Sequence, residues 1–303
     1  MTSGALGLVL LAAFLHAGWN IAAKQARHGD GGGQAQQLAF QLLTAFGVAV
    51  LWAPLGLPAS VTELPGWGAW QWGAVMLSAL VHLAYFSALL TGYAKADLTV
   101  VYPVARGAGP LLAAVGAVLW LHERPGGLGW LGIGAIVLGV LLLAGLLRRR
   151  PMTPPVRAGV RWGLLTGALI ASYTVIDAWA IKRLGMQPLA YDYWCNLLRI
   201  PLLLPLVWAC SSKAALRASW RQERRAVLVV SAFAPLAYIL VLTALQTAPL
   251  SSVAPVRECS MLFAALIGGH LLKENDRVAR LLGAGAIAVG VILLGLTSPG
   301  IPS

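Results

Sequence analysis

The second half of this chain repeats the first, and each half holds an odd number of apolar spans. Sliding the sequence by 152 positions sets Leu90-Thr91 on Leu242-Thr243, Leu98 on Leu250, Val101 on Val253, and Pro103-Val104 on Pro255-Val256. One residue then drops out, and an offset of 151 sets Leu121 on Leu272 and Glu123 on Glu274. At that offset Leu131-Gly132-x-Gly134-Ala135-Ile136-x-x-Gly139-Val140 falls on Leu282-Gly283-x-Gly285-Ala286-Ile287-x-x-Gly290-Val291. A unit that crosses a bilayer an odd number of times returns with its orientation inverted. Two such units form the paired architecture in which a central site is exposed to either side in turn.

Composition confines the chain to a lipid bilayer. Of 303 residues, 59% are hydrophobic and 11% charged, against about 25% charged in a soluble domain. Mean hydropathy is +0.78. A crossing helix needs about 20 apolar residues, and ten runs meet that length, at roughly 4–24, 35–57, 68–92, 98–121, 128–147, 159–182, 187–209, 226–247, 250–272 and 278–297. They are continuous rather than alternating, so they read as helices, not barrel strands. The expected fold is an all-α integral membrane protein of ten transmembrane helices in two inverted five-helix repeats. The first repeat is expected over 1–147 and the second over 159–303, joined by a basic, Pro-rich linker at 148–158. No basic n-region precedes the first run, which is therefore expected to remain as a span.

Charge sets the expected orientation. Sixteen of the 22 Lys and Arg residues fall in loops on one side (Arg148-Arg149-Arg150 and Lys213 to Arg225 among them), and only Arg124, Lys182 and Arg183 on the other. The positive-inside rule places the basic loops in the cytoplasm of a cell inner (plasma) membrane and both termini outside it. The pI near 10.3 has the same origin. Nucleic acid is not an expected partner, since the basic residues are spread over five loops with no soluble domain to present them. Trp52, Trp67, Trp70, Trp72, Trp130, Trp162, Trp208 and Trp220 fall at span ends, as interfacial belt residues do. The cysteines Cys195, Cys210 and Cys259 lack any metal or redox spacing and read as small apolar fillers.

Ionisable residues within the spans are the functional candidates, because charge at depth costs several kcal/mol, about 2.5–3.5 on insertion scales. Arg106 follows Pro103, and Arg257-Glu258 follow Pro255 at the equivalent place in the other repeat. Proline frees a carbonyl, which is tolerated where water or another group can satisfy it. Two converging guanidinium groups suit an anion such as a carboxylate or phosphate. A structural ion pair is the competing reading, with Arg106 meeting Glu258 across the pseudo-two-fold. Arg257 and Glu258 cannot easily pair on a helix, since neighbours point about 100° apart. Glu258 is also a candidate carrier for a coupled proton.

Span one carries His16, Asn20 and Lys24 as a polar stripe, with Trp19 beside them, and span six carries Tyr173 and Asp177. Lys24 and Lys182 are expected to snorkel to the interfaces. Arg199 is the expected structural partner for Asp177. His82, Tyr85 and Tyr238 offer rings for stacking on a substrate or on other helices. The pairs His122-Glu123 and Lys273-Glu274 close spans four and nine and read as structural. No nucleotide loop GxxxxGK[ST], HExxH or GxSxG occurs, so ATP hydrolysis and the matching enzyme chemistries are not expected and no cofactor is implied. Gly29 to Gly33 reads as a flexible turn.

These features resemble the drug/metabolite transporter superfamily in its ten-span EamA form. The likeness rests on the two five-span repeats, on the closing Leu121-His122-Glu123 and Leu272-Lys273-Glu274, on the Gly-rich spans that follow, and on Trp19-Asn20 with Lys24. The resemblance implies secondary transport of a small metabolite, often an amino acid or related organic acid and frequently outward, by alternating access. It implies a central cavity lined by spans one, three, four, six, eight and nine. Carried over by position, it points to His16, Asn20, His82, Tyr85, Arg106, Tyr173, Asp177, Tyr238, Arg257 and Glu258. A lipid head-group flippase or an intramembrane enzyme would draw on the same buried charges and stands as the alternative.

Overall fold

The computed structural model of the chain describes residues 1–26, 34–96, 98–143, 153–210, 213–267 and 277–297. The Gly29–Gly33 turn, the seam at 148–152 and the Lys273-Glu274 closure lie outside the described residues, as does the Lys24 side chain. Among the described residues the regular structure is helical throughout: α1 (Ser3–Ala26), α2 (Gln34–Leu51), α3 (Ala53–Glu63), α4 (Ala69–Lys95), α5 (Leu98–Trp120), α6 (Gly127–Leu143), α7 (Pro154–Lys182), α8 (Pro188–Cys210), α9 (Lys213–Leu245), α10 (Leu250–Arg257), α11 (Cys259–Ile267) and α12 (Arg277–Leu296). Five of these are long and apolar enough to cross a membrane, one bent pair qualifies together, and three shorter apolar helices accompany them. With the broken pair α10–α11, these account for ten crossings.

The packing follows the repeat. The offset carries α1 onto α7, α4 onto α9, and α5 onto α10 with α11. Accordingly α1 packs on α9 as α4 packs on α7, and α1 packs on α10 and α11 as α5 packs on α7. Three pairs meet their own images: α2 with α8, α5 with α10, and α6 with α12. At the α6–α12 contact, a Cβ added to Gly139 would lie 2.6 Å from the Gly283 carbonyl oxygen, and one added to Gly290 would lie 2.7 Å from that of Gly132. Membrane helices gain no hydrophobic drive from meeting each other, so close backbone approach supplies the contact instead. Large apolar side chains such as Val50 (70% exposed) and Leu296 (70%) line the outside, where lipid replaces water.

Four elements depart from the sequence expectation. The run expected at 35–57 splits at Trp52 into α2 and α3, bent by 73°. Pro54 falls in the first turn of α3, where a missing N–H costs nothing, and its ring bars the preceding turn from continuing. The run at 250–272 splits at Glu258. Span eight begins thirteen residues early, since α9 starts at Lys213. Its basic first third, rich in Ala, Leu, Arg and Gln, is made of good helix formers. Likewise α7 begins at Pro154 rather than 159, with proline in its first turn, so the end of the expected linker is helical.

One face of the bundle is tied together by polar contacts between links. His122 takes a left-handed conformation (φ 58°) after α5, and the Glu123 N–H returns to the Ala117 carbonyl at 3.1 Å. That reversal presents the Glu123 carboxylate to the start of α10, where Oε1 accepts from the Leu250 N–H (2.7 Å) and Oε2 from the Ser251 N–H (2.9 Å). A carboxylate at a helix N-terminus satisfies orphan donors and complements the helix dipole. Lys182 donates to the Ala248 carbonyl at 2.7 Å and lies 3.8 Å from Glu123, so it is engaged within the protein rather than reaching out toward an interface. On the same face the Met1 ammonium group donates to the Thr297 carbonyl, as an even number of crossings requires.

Candidate substrate-binding site

The break in the ninth crossing positions the central charges. Pro255 has no N–H to donate, and three residues later α10 gives way at Glu258 (φ −70°, ψ −6°). The Glu258 N–H donates to the Pro255 carbonyl at 2.9 Å, and the Glu258 carbonyl accepts from Met261 at 2.9 Å as α11 begins. Leaving the helical path brings the Glu258 carboxylate back toward its neighbour, 4.0 Å from Arg257 Nε. The expectation that they cannot easily pair assumed an unbroken helix; they come within ion-pair distance without a hydrogen bond from Arg257 Nε. The first repeat shows no such interruption, since α5 runs unbroken past Pro103.

Arg106 reaches Glu258 from α5, its Nη1 donating to both carboxylate oxygens at 3.3 and 3.4 Å. Its Nη2 donates to His16 Nε2 from α1 at 3.0 Å. Arginine is only ever a donor, so His16 presents an unprotonated Nε2 to it. The ring of His16 meets Trp19 edge-on at 4.7 Å. Glu258 is 1% exposed and Arg257 5%. The Nε of Arg257 is buried without a hydrogen-bond partner. Two guanidinium groups thus approach one carboxylate where α1, α5 and α10 meet.

A second group of predicted residues lies alongside. His82 on α4 stacks on Tyr173 of α7, with ring centroids 3.9 Å apart, and Tyr238 of α9 meets His82 edge-on at 5.9 Å. Tyr85 tilts against Tyr173 at 5.6 Å. The His82 ring is oriented by its Nδ1, 2.9 Å from the Ser78 carbonyl. Arg257 lies within electrostatic reach of Tyr173, Tyr238 and Arg106, which joins the ring cluster to the charge cluster. Asn20 spends its amide on the His16 carbonyl of its own helix, at 2.7 Å.

Asp177 is held differently from the sequence expectation. Its carboxylate accepts from the Tyr191 hydroxyl at 2.6 Å and from the Tyr238 hydroxyl, whereas Arg199 donates to Asn196 Oδ1 at 3.2 Å. Asn196 in turn donates to Asp192 Oδ2 at 3.0 Å. The reason is reach: Tyr191 opens α8 directly beside the end of α7, while Arg199 sits two turns further along. Tyr191, Asp192 and Asn196 were not singled out from the sequence. The signal was the unusually polar start of span seven, Tyr191-Asp192-Tyr193 with Asn196 one turn on.

A helical bundle of paired repeats closing around buried, incompletely paired charge defines a multi-pass membrane transporter. The family model for the EamA-like transporter family matches residues 3–145 and again 157–296, and the chain belongs to that family. It is 27% identical over 234 residues to the protein described as "Uncharacterized transporter YwfM" from Bacillus subtilis (strain 168), covering 74% of each chain. A protein known by its crystal structure superposes with a TM-score of 0.72 over 98% of both chains at 14% identity, which is a likeness of fold alone.

Proposed function

We propose that the chain is a secondary transporter that holds a small anionic or zwitterionic metabolite, of the amino-acid or organic-acid kind, at Arg257. The observation that carries this reading is Arg257, which is buried, keeps an Nε with no hydrogen-bond partner, and lies 4.0 Å from the Glu258 carboxylate that Arg106 also engages. A buried guanidinium with an unfilled donor is costly, and an incoming carboxylate or phosphate offsets that cost with charge-assisted hydrogen bonds. The rings of His82, Tyr173 and Tyr238 would flank the rest of the ligand. Alternating access around this site would draw on a proton or solute gradient. In this reading the membrane is the cell inner membrane, with the basic loops cytoplasmic.

The test is ligand-induced stabilisation of the purified full chain, screened against amino acids, phosphonates and simple organic acids. A ligand at about 100 times its Kd stabilises the folded state by about 2.7 kcal/mol. The rise in melting temperature is expected in wild type and absent in Arg257→Ala, with Arg257→Lys in between because the fork is lost and the charge kept. An undiminished rise in Arg257→Ala would refute the assignment.

A further inference from the structure

We propose that Asp177, not Glu258, is the site at which a coupled proton binds and leaves. The assignment takes its meaning from the transport reading above, but its test does not depend on that reading. Glu258 lies between two guanidinium groups, so its charge is matched. Asp177 is fully buried, and among the described residues no basic group bonds to it. Its oxygens accept from the hydroxyls of Tyr191 and Tyr238, with the Ser78 hydroxyl as a further partner. A carboxylate so placed is compensated by neutral dipoles, an arrangement that tolerates both the charged and the neutral form.

The surroundings favour exchange of a proton over a fixed charge. From α8 come Tyr191 and Asp192, a second acid that repels a charge on Asp177, and Arg199, which attracts it from a distance while bonded to Asn196. From α4 comes His82, oriented by Ser78. From α9 comes Tyr238, and beyond it on α10 lies Arg257. Arg106 on α5 is engaged by Glu258 and His16. Tyr173 of α7, stacked on His82, and the buried Cys195 of α8 are further titratable neighbours.

Position sets the distance a proton has to travel. Asp177 stands five residues from the last residue of α7, roughly 7.5 Å along the axis from the tied face. A proton arriving from water at that face forms an O–H bond on the carboxylate, which becomes a carboxyl. The Tyr238 hydroxyl, which donates to the carboxylate, then turns to accept from that carboxyl. When the proton returns to water, the hydroxyl donates again. Because Tyr238 meets the ring of His82 and lies within electrostatic reach of Arg257, its reorientation changes the field at the anion site. That is the physical link between proton and substrate.

Infrared difference spectra of the full chain in lipid, taken between acid and alkaline buffer with no substrate present, test this directly. Wild type is expected to exchange one buried carboxyl C=O band for carboxylate bands. Asp177→Asn is expected to lose that band, while Glu258→Gln and Asp192→Asn keep it. Tyr238→Phe, which preserves the carboxyl should Asp177→Asn fold poorly, is expected to shift the band's frequency. A band that survives Asp177→Asn, vanishes instead in Glu258→Gln or Asp192→Asn, is indifferent to Tyr238→Phe, or is missing from wild type overturns the proposal. A loss of anion binding in Arg257→Ala leaves these spectra as they are, so the two readings fail separately.

Discussion

Glu258 is the residue on which the site's electrostatics turn. It faces Arg106 at 3.3 Å and Arg257 at 4.0 Å, so removing it leaves two guanidinium groups confronting each other in the bundle interior. Breaking a buried pair by deleting one partner costs about 3–5 kcal/mol, whereas removing both partners is often near neutral. We therefore expect Glu258→Met alone to destabilise more than the double variant with Arg106→Met, in denaturant unfolding from mixed micelles. Additive losses would show that the pair is not coupled. The convergence of Arg106 and Glu258 was legible because charge within an apolar run marks a bundle interior. The Arg257–Glu258 approach was not, since it depends on a helix break that periodicity does not register. The Tyr191 hydroxyl on Asp177 was hidden for another reason: a partner 14 positions away across a turn leaves no spacing signal.

At the scale of the element, the ninth crossing is two short helices whose first turn is held from the other repeat. The Glu123 carboxylate receives the Leu250 and Ser251 N–H groups. Losing an N-terminal cap costs about 0.5–2 kcal/mol. Glu123→Ala is therefore expected to lower thermal stability by that order. Glu123→Gln should retain part of the loss, because its amide oxygen still accepts while the charge that serves the helix dipole is gone. Equal stability in all three proteins would remove the cap from the account. The sequence marked Leu121-His122-Glu123 as a repeat landmark and as structural, but not what it grips. Only the left-handed His122 and the packing of α5 on α10 bring that carboxylate to its target. Crossing edges were readable to a few residues wherever apolar runs ended at polar links. The bend at Trp52 and the extension of α9 were not, because hydropathy measures solvent preference and is blind to where helix-forming polar residues prolong a turn.

For the molecule as a whole, the links at 121–124, 182–183 and 248–251 meet on one face, and Gln36 near the start of α2 meets Glu223 of α9 elsewhere, where span two was expected to begin on the opposite side. The proposed orientation makes a testable division. A single cysteine replacing Arg124 is expected to react with an impermeant thiol reagent added outside intact cells, and one replacing Arg221 only after permeabilisation, both in a background without the three native cysteines. The reverse pattern would invert the topology. The ten-crossing, two-repeat plan was legible from the start because both span count and internal identity are properties of the chain itself. That identity is densest where α6 meets α12, and the contact there explains it. Each half's glycine backbone is the van der Waals wall of the other half, so a side chain gained on one has nowhere to be accommodated on its counterpart. Elsewhere the two copies have been free to diverge; at this seam each acts as a template that proofreads the other.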